Sequence, residues 1–374
     1  MKAVIMAGGK GTRLQPLTSN QPKPMIPIAN MPCMEHIVRL LKRYGFDDIL
    51  VTLEFMPEVI QDYFGDGSKW GVKMEYSVEE EPLGTAGSVK YVEDRLTERF
   101  IVISGDALTD VDLEQAVALH EERGAEVTLV LKKVEDPSGF GIVVVDDDGR
   151  VTEFLEKPDP DEVFSYTANT GIYIVEPGVL RDIPEGQEYD WSKELFPKLL
   201  EEERRVYGYV MEGYWEDIGD IEQYIGAQRD VLDGKVRGVQ PPGEQPREGV
   251  YVGSGAEVDD EGLEGPVVLG DNVRVASGAR VGPYSVVAPG VSIETGASVA
   301  RSTVAEGTSI GEGAELDGAL VGRSCKVGDR VRLLEGSAIG DEVEVGEGAT
   351  IAAGVSVFPN ESVESGAEVT EDVL

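Results

Sequence analysis

Apolar and polar positions in the first 235 residues follow the patterns of helices and strands in alternation. Residues 34–44 carry apolar side chains at helical spacing, and Gly45 ends that run. The same pattern predicts further elements, namely helices at 56–64, 85–96 and 220–233 and strands at 2–7, 47–55, 73–78 and 99–104. Because helix and strand keep alternating, we expect a largely parallel α/β sheet with its site at the C-terminal ends of the strands.

A repeat of six residues fills the last third of the chain. Small aliphatic residues recur at that period across 269–369, with Gly, Ala, Ser and Asp in the places between them. The period slips twice, within 299–304 and within 316–321, which predicts small loops or irregular corners. Helices cannot follow a period of six with so much glycine, so the pattern predicts a stacked solenoid. It resembles the hexapeptide-repeat left-handed parallel β-helix.

The two patterns divide the chain into two predicted domains. We expect an α/β domain at 1–235 and a β-helix at 250–374, joined by a linker at 236–249. The linker is predicted from composition, since Pro241 to Arg247 is rich in Pro and contains Gly. A length of 374 residues agrees with about two domains.

The charge of the chain restricts its partners. It has 71 acidic and 33 basic residues, for a formal net charge of −38. Such a surface repels nucleic-acid phosphates, so DNA or RNA binding is not expected. The acidic residues are spread through both halves, among abundant Val, Ile and Leu that a disordered acidic chain would lack. We interpret the chain as a folded protein adapted to high salt, where screening weakens self-repulsion.

Signals for export or for a membrane are not found in the sequence. No run approaches ~18 uninterrupted apolar residues, so no membrane span is expected. The N-terminus begins directly with a strand and resembles no signal peptide. Cys33 and Cys325 lie far apart and fit a reducing compartment, with neither a disulfide framework nor a zinc site. The sequence therefore predicts a cytoplasmic protein.

The strand at 2–7 leads into a turn that contains Gly8, Gly9 and Gly11 and then presents Arg13. Glycines permit backbone angles and close approaches that a Cβ forbids, and consecutive bare amides form a concave site for phosphate oxygens. Arg13 adds a planar cation. The turn has neither the Gly-Lys-Ser/Thr of a P-loop nor a Gly-x-Gly-x-x-Gly fingerprint. A glycine turn alone is more often only a tight turn, but this combination is typical of phosphate handling.

An aspartate, Asp106, directly follows the buried strand at 99–104. It should therefore face the same end of the sheet as the glycine turn. A loop aspartate here could instead cap the next helix, but Asp110 and Asp112 are better placed for that cap. We interpret Asp106 as a ligand of Mg²⁺, a hard cation that prefers oxygen donors.

Two later motifs carry further candidate chemistry. Lys157 lies between Glu156 and Pro158 at the end of a predicted strand. A surface lysine is the commoner interpretation, yet a phosphate partner would explain why a chain with few lysines has one at this fixed position. Asp217 lies within Gly213-Tyr-Trp-Glu-Asp-Ile-Gly219, which is either an aromatic turn before the last helix or the place of a second Mg²⁺ carboxylate.

Seven motifs occur in the order typical of the sugar-1-phosphate nucleotidyltransferases, also called NDP-sugar pyrophosphorylases. They lie at Gly8–Arg13, Pro22–Pro24, Leu83–Gly87, Gly105–Asp106, Glu156–Pro158, Asn169–Tyr173 and Trp215–Gly219. The chain resembles that family over residues 1–235, and seven motifs in order are not plausibly chance. The resemblance implies a catalytic domain with a mixed, mostly parallel, Rossmann-like (GT-A-like) nucleotidyltransferase sheet.

The resemblance also implies a role for each matched residue. The residues that would bind the nucleotide are Gly8, Gly9, Gly11, Thr12, Arg13, Lys23, Gly84 and Thr85. Those that would bind the sugar phosphate are Gly141, Glu156, Lys157 and Asn169. Asp106 and Asp217 would hold Mg²⁺, and the catalytic cations would be Arg13, Lys23 and Lys157.

The residue types agree with the implied reaction, in which a sugar 1-phosphate attacks the α-phosphate of an NTP and pyrophosphate leaves. The attacking oxygen is already anionic and needs no strong base. The difficulty is to bring two anions together and to stabilise the charge that spreads over the transferring phosphorus. Cations and Mg²⁺ placed in advance would supply this, so the site needs no catalytic His, Ser or Cys.

The base and the sugar stay open at this point. Glu81–Gly87, Tyr189–Lys193 and Glu212–Trp215 look most like the mannose-1-phosphate guanylyltransferases. Glucose-1-phosphate uridylyl- and thymidylyltransferases share most of these motifs. Thymidylyl enzymes tend to carry a Gln in the loop that reads the base, and Leu83–Gly87 has none, which favours the guanylyl branch slightly.

Two other classes of function are alternatives. The same two-domain plan occurs in subunits of translation initiation factor 2B, which resemble these enzymes and act as scaffolds, but a scaffold would be expected to lose part of the charged set. Some relatives carry an acyltransferase in the solenoid with a catalytic histidine. Here the two histidines, His36 and His120, both lie in the first domain. We therefore expect the β-helix to be structural and to set a homo-oligomeric state.

Overall fold

The computed structural model describes residues 1–374, except for the side chain of Asp260. Its α-helices are α1 (Cys33–Arg43), α2 (Pro57–Phe64), α3 (Gly84–Lys90), α4 (Leu113–Arg123), α5 (Phe196–Glu201) and α6 (Ile221–Leu232). Short 3₁₀ turns lie at Thr12–Leu14, Lys23–Met25, Ser68–Trp70, Glu93–Arg95, Pro177–Asp182 and Asp260–Gly262, with a π turn at Trp191–Leu195. The helices predicted at 34–44, 56–64 and 220–233 are present within one residue at each end, whereas the one predicted at 85–96 ends at Lys90.

The strands before residue 218 are β1 (Lys2–Met6), β2 (Pro27–Ile28), β3 (Met31–Pro32), β4 (Asp48–Leu53), β5 (Lys73–Val78), β6 (Phe100–Ser104), β7 (Ala107–Thr109), β8 (Val127–Lys133), β9 (Gly141–Val145), β10 (Val151–Glu156), β11 (Thr167–Val175), β12 (Val206–Val210) and β13 (Trp215–Asp217).

The strands after residue 218 are β14 (Glu244–Arg247), β15 (Val250–Val252), β16 (Val267–Leu269), β17 (Arg274–Val275), β18 (Arg280–Val281), β19 (Ser285–Val287), β20 (Ser292–Ile293), β21 (Ser298–Ala300), β22 (Thr303–Val304), β23 (Ser309–Ile310), β24 (Glu315–Asp317), β25 (Leu320–Val321), β26 (Lys326–Val327), β27 (Arg332–Leu333), β28 (Ala338–Ile339), β29 (Glu344–Val345), β30 (Thr350–Ile351), β31 (Ser356–Val357), β32 (Ser362–Val363) and β33 (Glu368–Val369). Part of the predicted linker is therefore the strand β14, which pairs with β15.

Contacts divide the chain into two compact units. The first contains residues 1–9 and 34–217, and the second contains residues 10–33 and 218–374. The segment 10–33, which carries Arg13 and Lys23, thus groups with the β-helix. The domain boundaries predicted at 235 and 249 stay a prediction.

A nine-stranded sheet forms the centre of the first unit. Seven strands run in the order β10-β9-β11-β6-β1-β4-β5, and β8 and β12 continue from β11. β6, β1, β4 and β5 are parallel, while β11 is antiparallel to β6. The central strands β1, β4 and β6 are continuous apolar runs that are buried on both faces, and Ala3, Val4 and Ile5 are fully buried. The predicted mixed, mostly parallel sheet is confirmed.

The second unit is built on a β-helix of three parallel sheets. The first sheet contains β15, β16, β19, β22, β25, β28 and β31, the second runs from β17 to β32, and the third runs from β18 to β33. Every aliphatic position of the six-residue repeat packs in its core, except that Val369 is only partly buried. The predicted left-handed β-helix is confirmed.

The two slips of the repeat are shortened corners. Val304 pairs with Val287, seventeen residues before it, whereas Val287 pairs with Leu269, eighteen residues before it. Arg301 and Gly318 have positive φ angles of 50° and 68° at these corners, so each corner turns with one residue fewer. Of the two predicted alternatives, small loops or irregular corners, the structure therefore has irregular corners.

No helix of the described residues is long and apolar enough to cross a membrane.

Candidate functional site

The ends of β1 and β6 lie close together because Gly105 has no side chain. The Gly105 amide donates to the carbonyl of Met6 at 2.8 Å. A Cβ on Gly105 would lie 3.0 Å from that carbonyl oxygen and 3.3 Å from the Ala7 Cβ. Asp106 is therefore presented beside the start of the glycine turn, as the sequence predicts.

A short antiparallel ladder, separate from the nine-stranded sheet, joins the two segments that carry the predicted metal ligands. Asp217, the last residue of β13, pairs with Ala107, the first residue of β7. Asp106 is the residue just before Ala107, so the backbone positions of Asp106 and Asp217 are one residue out of register across this ladder. Ser104 Oγ donates to Asp106 Oδ1 at 2.6 Å and orients that carboxylate.

The donor set at this ladder fits a hard divalent cation. Two carboxylates at one end of a ladder supply oxygen ligands of the kind that Mg²⁺ prefers, and such sites usually complete the shell with water and phosphate oxygens. Among the side chains that the structure describes, no group of three or more His, Cys, Asp or Glu residues is arranged to hold a metal by itself. A bound metal would thus depend on ligands from the substrates.

The aromatic turn before Asp217 is a structural support. Trp215 Nε1 donates to the carbonyl of Thr170 at 3.2 Å, and its ring packs edge-on against Phe140 at 5.1 Å. Asp110 Oδ1 accepts from the amide of Tyr214 at 2.7 Å. The interpretation as an aromatic turn therefore applies to Trp215. The role of Asp217 as a second Mg²⁺ carboxylate stays a prediction.

Glu156 packs over Gly141, so a residue with a Cβ would not fit at position 141. A Cβ on Gly141 would lie 2.6 Å from Glu156 Oε2. Burial, and then the negative charge of Asp190, raises the pKa of the Glu156 carboxyl above its usual value. A partly buried carboxylate in this position can accept hydrogen bonds from the hydroxyl groups of a sugar.

Asn169 belongs to a buried polar network next to Glu156. Its Nδ2 donates to the hydroxyl of Tyr173 at 3.0 Å and to Ser192 Oγ at 3.2 Å, and its side chain is 9 % exposed. Ser192 also hydrogen-bonds Glu156. The structure thus brings Gly141, Glu156 and Asn169 together, as the sugar-binding prediction requires.

The predicted base-binding motif packs against residues 187–191. A Cβ on Gly84, which has φ 70°, would lie 2.7 Å from the carbonyl oxygen of Tyr189. Thr85 Oγ1 donates to Asp190 Oδ2 at 2.7 Å and accepts from the amide of Trp191 at 3.2 Å. Gly84 and Thr85 therefore have structural roles, and binding of the base stays a prediction.

Lys157 has an unusual backbone. Its φ is +47°, a left-handed conformation that non-glycine residues rarely adopt, and its amide donates to the carbonyl of Phe140 at 3.1 Å. Strained backbones of this kind concentrate at functional sites. Gly9 is also informative, because a Cβ there would meet nothing within 4 Å, so packing does not explain the glycine.

In the second unit, Gly11 and Lys23 pack together. Gly11 has φ 67°, and a Cβ on it would lie 2.8 Å from Lys23 Cβ. Thr18 Oγ1 donates to the carbonyl of Gly11 at 2.7 Å. Lys23 is 9 % exposed, so its position within the loop is closely defined.

Arg13 lies against Gly219, at the beginning of α6. A Cβ on Gly219 would lie 3.0 Å from Arg13 Nη2 and 2.6 Å from Gln223 Oε1. The amide of Gly219 donates to that Gln223 oxygen at 3.0 Å. The last motif of the chain therefore provides space for the cation of the first motif, two residues after Asp217.

The predicted site residues form one set in each unit. The set in the first unit is Gly8, Gly9, Gly84, Thr85, Asp106, Gly141, Glu156, Lys157, Asn169 and Asp217. The set in the second unit is Gly11, Thr12, Arg13 and Lys23. The sequence analysis assigned no role to Asp190, Ser192 or Gly219, although each lies in a motif that it had noted.

Comparison with known proteins decides the family. A family model described as "Nucleotidyl transferase" matches residues 2–234. A UTP–glucose-1-phosphate uridylyltransferase of Synechocystis sp. is 42% identical over 87% of this chain and 88% of its own length. The chain belongs to the sugar-1-phosphate nucleotidyltransferase family. The interpretation as an enzyme, rather than a scaffold, is confirmed.

Other relatives of this nucleotidyltransferase differ in their named substrate. A mannose-1-phosphate guanylyltransferase of Mycobacterium tuberculosis is 37% identical over 80% of this chain and 83% of its own length. A second model, described as the GMPPB C-terminal domain, matches residues 263–373. The crystal structure of HddC from Yersinia pseudotuberculosis complexed with GMP-PN has a TM-score of 0.53 and 27% identity, and covers 61% of this chain and 98% of that one.

Proposed function

We propose that this nucleotidyltransferase joins GTP and mannose 1-phosphate to give GDP-mannose and pyrophosphate, and that it requires Mg²⁺. The observation that carries the reaction type is the ladder between β7 and β13, in which Asp217 pairs with Ala107, the residue directly after Asp106. The guanylyltransferase relatives, the match to the GMPPB C-terminal domain and the absence of Gln from Leu83–Gly87 support the choice of base.

In this proposal, each of the predicted binding side chains has its own part in the reaction. Arg13 and Lys23 bind the triphosphate, and Lys157 binds the phosphate of the sugar, so that each substrate anion has a cation of its own. Glu156 and Asn169 orient the sugar ring. No side chain has to remove a proton from the attacking phosphate oxygen, because that oxygen is already anionic. Positioning and charge stabilisation account for the rate.

Enzymes of this family generally depend on a divalent metal. We propose that Asp106 and Asp217 hold Mg²⁺, which when bound neutralises charge on the phosphates. Ser104 fixes one oxygen of Asp106 and so prepares the carboxylate for the ion.

A second candidate is a uridylyltransferase that uses glucose 1-phosphate. The observation that favours it is the 42% identity to the Synechocystis enzyme, which exceeds the 37% identity to the mycobacterial guanylyltransferase. The two candidates differ in base and sugar and share the same charged residues.

Release of pyrophosphate, measured for each NTP with mannose 1-phosphate and glucose 1-phosphate, tests the proposal. We expect the highest kcat/KM with GTP and mannose 1-phosphate, loss of turnover in EDTA and recovery with Mg²⁺. Preference for UTP and glucose 1-phosphate would replace the substrate assignment by the second candidate. Full activity in EDTA would contradict the metal assignment.

We further propose a cytoplasmic homo-oligomer that assembles through the β-helix. Both cysteines are buried and are not joined by a disulfide, which suits a reducing compartment. Light scattering of the full chain would test the assembly, and the mass of a single chain would contradict it.

A further inference from the structure

One face of the β-helix differs from the other two. On the first sheet, the residues that point away from the core include Val268, Val286 and Leu320, and each is at most 2 % exposed. On the second sheet the equivalent residues include Lys326 and Glu344, which are exposed. The first face is therefore covered by other parts of the second unit, and the covering residues can be identified.

α6 supplies part of this cover. Its last residue, Leu232, packs against Val268 and Val286. In its first turn, the buried Tyr224 accepts a hydrogen bond from the Thr303 side chain on the same face. A helix of this length spans about 18 Å, and its other end begins beside Gly219, where Arg13 lies.

The hairpin β2–β3 is held by α6 and by the β-helix. Gln228 Oε1 accepts from the amide of Ala29 at 2.7 Å, and Gln228 Nε2 donates to the carbonyl of Pro27 at 3.0 Å. Asn30 Nδ2 donates to the carbonyl of Val287 in the first sheet at 2.8 Å. Ala29 and Asn30 have φ angles of 49° and 64°, and an alanine in that conformation needs such support.

A second contact with the β-helix lies on the other side of Lys23. Arg323 Nη2 donates to the carbonyl of Asn20 at 3.3 Å. The same guanidinium is held by Asp341 on the next coil, with nitrogen–oxygen distances of 2.6 and 3.0 Å. Asp341 of the β-helix thus orients the Arg323 side chain that contacts Asn20.

We propose that the β-helix positions the phosphate-binding loop of the enzyme, with Asn30 and Arg323 as positioning residues. Lys23 lies three residues after Asn20 and four before Pro27, so both sides of it are attached to the β-helix or to α6. Arg13 lies against Gly219, just before the start of α6. This role rests on the proposed function of Arg13 and Lys23, and it goes beyond assembly.

Two variants with matched controls test the role. Asn30→Gly keeps the positive φ, because glycine tolerates it, and removes only the side-chain contact. Its control is Asn360→Gly, an asparagine with φ 66° in the β-helix. The control for Arg323→Ala is Arg330→Ala. Arg330 lies at a different corner of the β-helix, where it pairs with Glu347 on the next coil.

The kinetic result separates positioning from stability. We expect Asn30→Gly and Arg323→Ala to lower kcat/KM for the NTP by about tenfold, since small displacements of binding groups are costly in rate. The KM for the sugar phosphate should change by less than about twofold, because that substrate is assigned to other residues. Both controls should keep wild-type kinetics, and melting temperatures should stay within a few degrees of wild type.

Amide hydrogen exchange gives a readout that needs no substrate. Exchange of residues 11–25 should become faster in both variants and stay unchanged in both controls and in β1. Unchanged exchange, or faster exchange with wild-type kinetics, would overturn the proposal. If the wild type released no pyrophosphate from any substrate pair, the proposed function would fail, and the exchange result alone would decide whether the β-helix holds the loop.

Discussion

At the scale of single residues, the site depends as much on missing side chains as on charged ones. Gly105 allows β1 and β6 to approach, Gly141 makes room for Glu156, and Gly219 makes room for Arg13. Each of these glycines lies where a Cβ would meet another atom within 3.0 Å. The motifs of this chain therefore combine a charged residue with the glycine that lets it reach its place.

Removal of Asp106 should abolish turnover and leave the fold intact. Asp106→Ala deletes one of two carboxylates at the ladder end and should reduce kcat by at least about a hundredfold, as loss of a main electrostatic group does. Lys157→Ala should behave alike. Pyrophosphate release measures both, and near-normal rates in both would defeat the assignment.

A neighbouring aspartate provides the control for that experiment. Asp112 caps α4, since its side chain accepts from the amide of Gln115 at 3.1 Å. Asp112→Ala should lower the free energy of unfolding by about 1 kcal/mol, as loss of an N-cap does, with kcat unchanged.

Gly219→Ala should reduce turnover by displacing Arg13. The new Cβ would lie 3.0 Å from Arg13 Nη2, so the guanidinium has to move. Gly226→Ala on the same helix is the matched control, because a Cβ there meets nothing within 4 Å. That control should keep its activity and gain about 0.5–1 kcal/mol in stability, since alanine favours a helix over glycine. Equal activity of the two variants would show that Arg13 does not depend on Gly219.

At the scale of elements, α4 docks on the sheet through a buried histidine. His120 Nδ1 lies 2.9 Å from Thr128 Oγ1 on β8, and Nε2 lies 3.3 Å from Glu176 Oε1. Burial lowers the pKa of His120 below its usual value, although Glu176 acts in the opposite direction. His120 is thus a structural residue of the first unit, which agrees with a β-helix that has no catalytic histidine.

This histidine should make the fold sensitive to acid. Because the pKa is lower in the folded state, the unfolded state binds the proton first as the pH falls. Titration of His120 therefore leaves the free energy of unfolding unchanged above about pH 6.5 and lowers it increasingly as the pH falls below that value. Urea unfolding between pH 8 and pH 5 should show a smaller pH dependence for His120→Gln than for the wild type. Parallel curves for the two proteins would contradict the assignment.

At the scale of the whole molecule, charge decides the conditions in which the chain is stable. With 71 acidic and 33 basic residues, the acidic groups outnumber the basic groups by 38. Most of this charge lies at the surface, where mobile ions screen it over about 10 Å at 0.1 M salt and over less at higher salt. Self-repulsion at low salt should therefore be large.

The melting temperature should rise from low salt to molar KCl. Screening of the surplus carboxylates stabilises the compact state, so the increase should be several degrees. Sucrose at equal osmolality is the control, because it carries no charge and should give a smaller increase. A melting temperature that does not rise with KCl would contradict the interpretation that the protein is adapted to high salt.

The sequence by itself determined the elements and the kind of chemistry. Periodicity is a local property, so a six-residue repeat and alternating apolar runs were sufficient for the β-helix and the sheet, and the shortened corners were visible as slips. The charged residue types in ordered motifs were sufficient for the family. Sequence reasoning could also find Asp106, because its position after a buried strand is local.

The tertiary structure alone decided what depends on residues far apart in the chain. That Gly219 receives Arg13, that Ser192 joins Glu156 to Asn169, and that Asn30 reaches Val287 follow from packing between segments up to 257 residues apart. No local pattern encodes such pairs, because each segment keeps its own periodicity whichever partner it meets. For the same physical reason, only the structure groups the loop 10–33 with the β-helix.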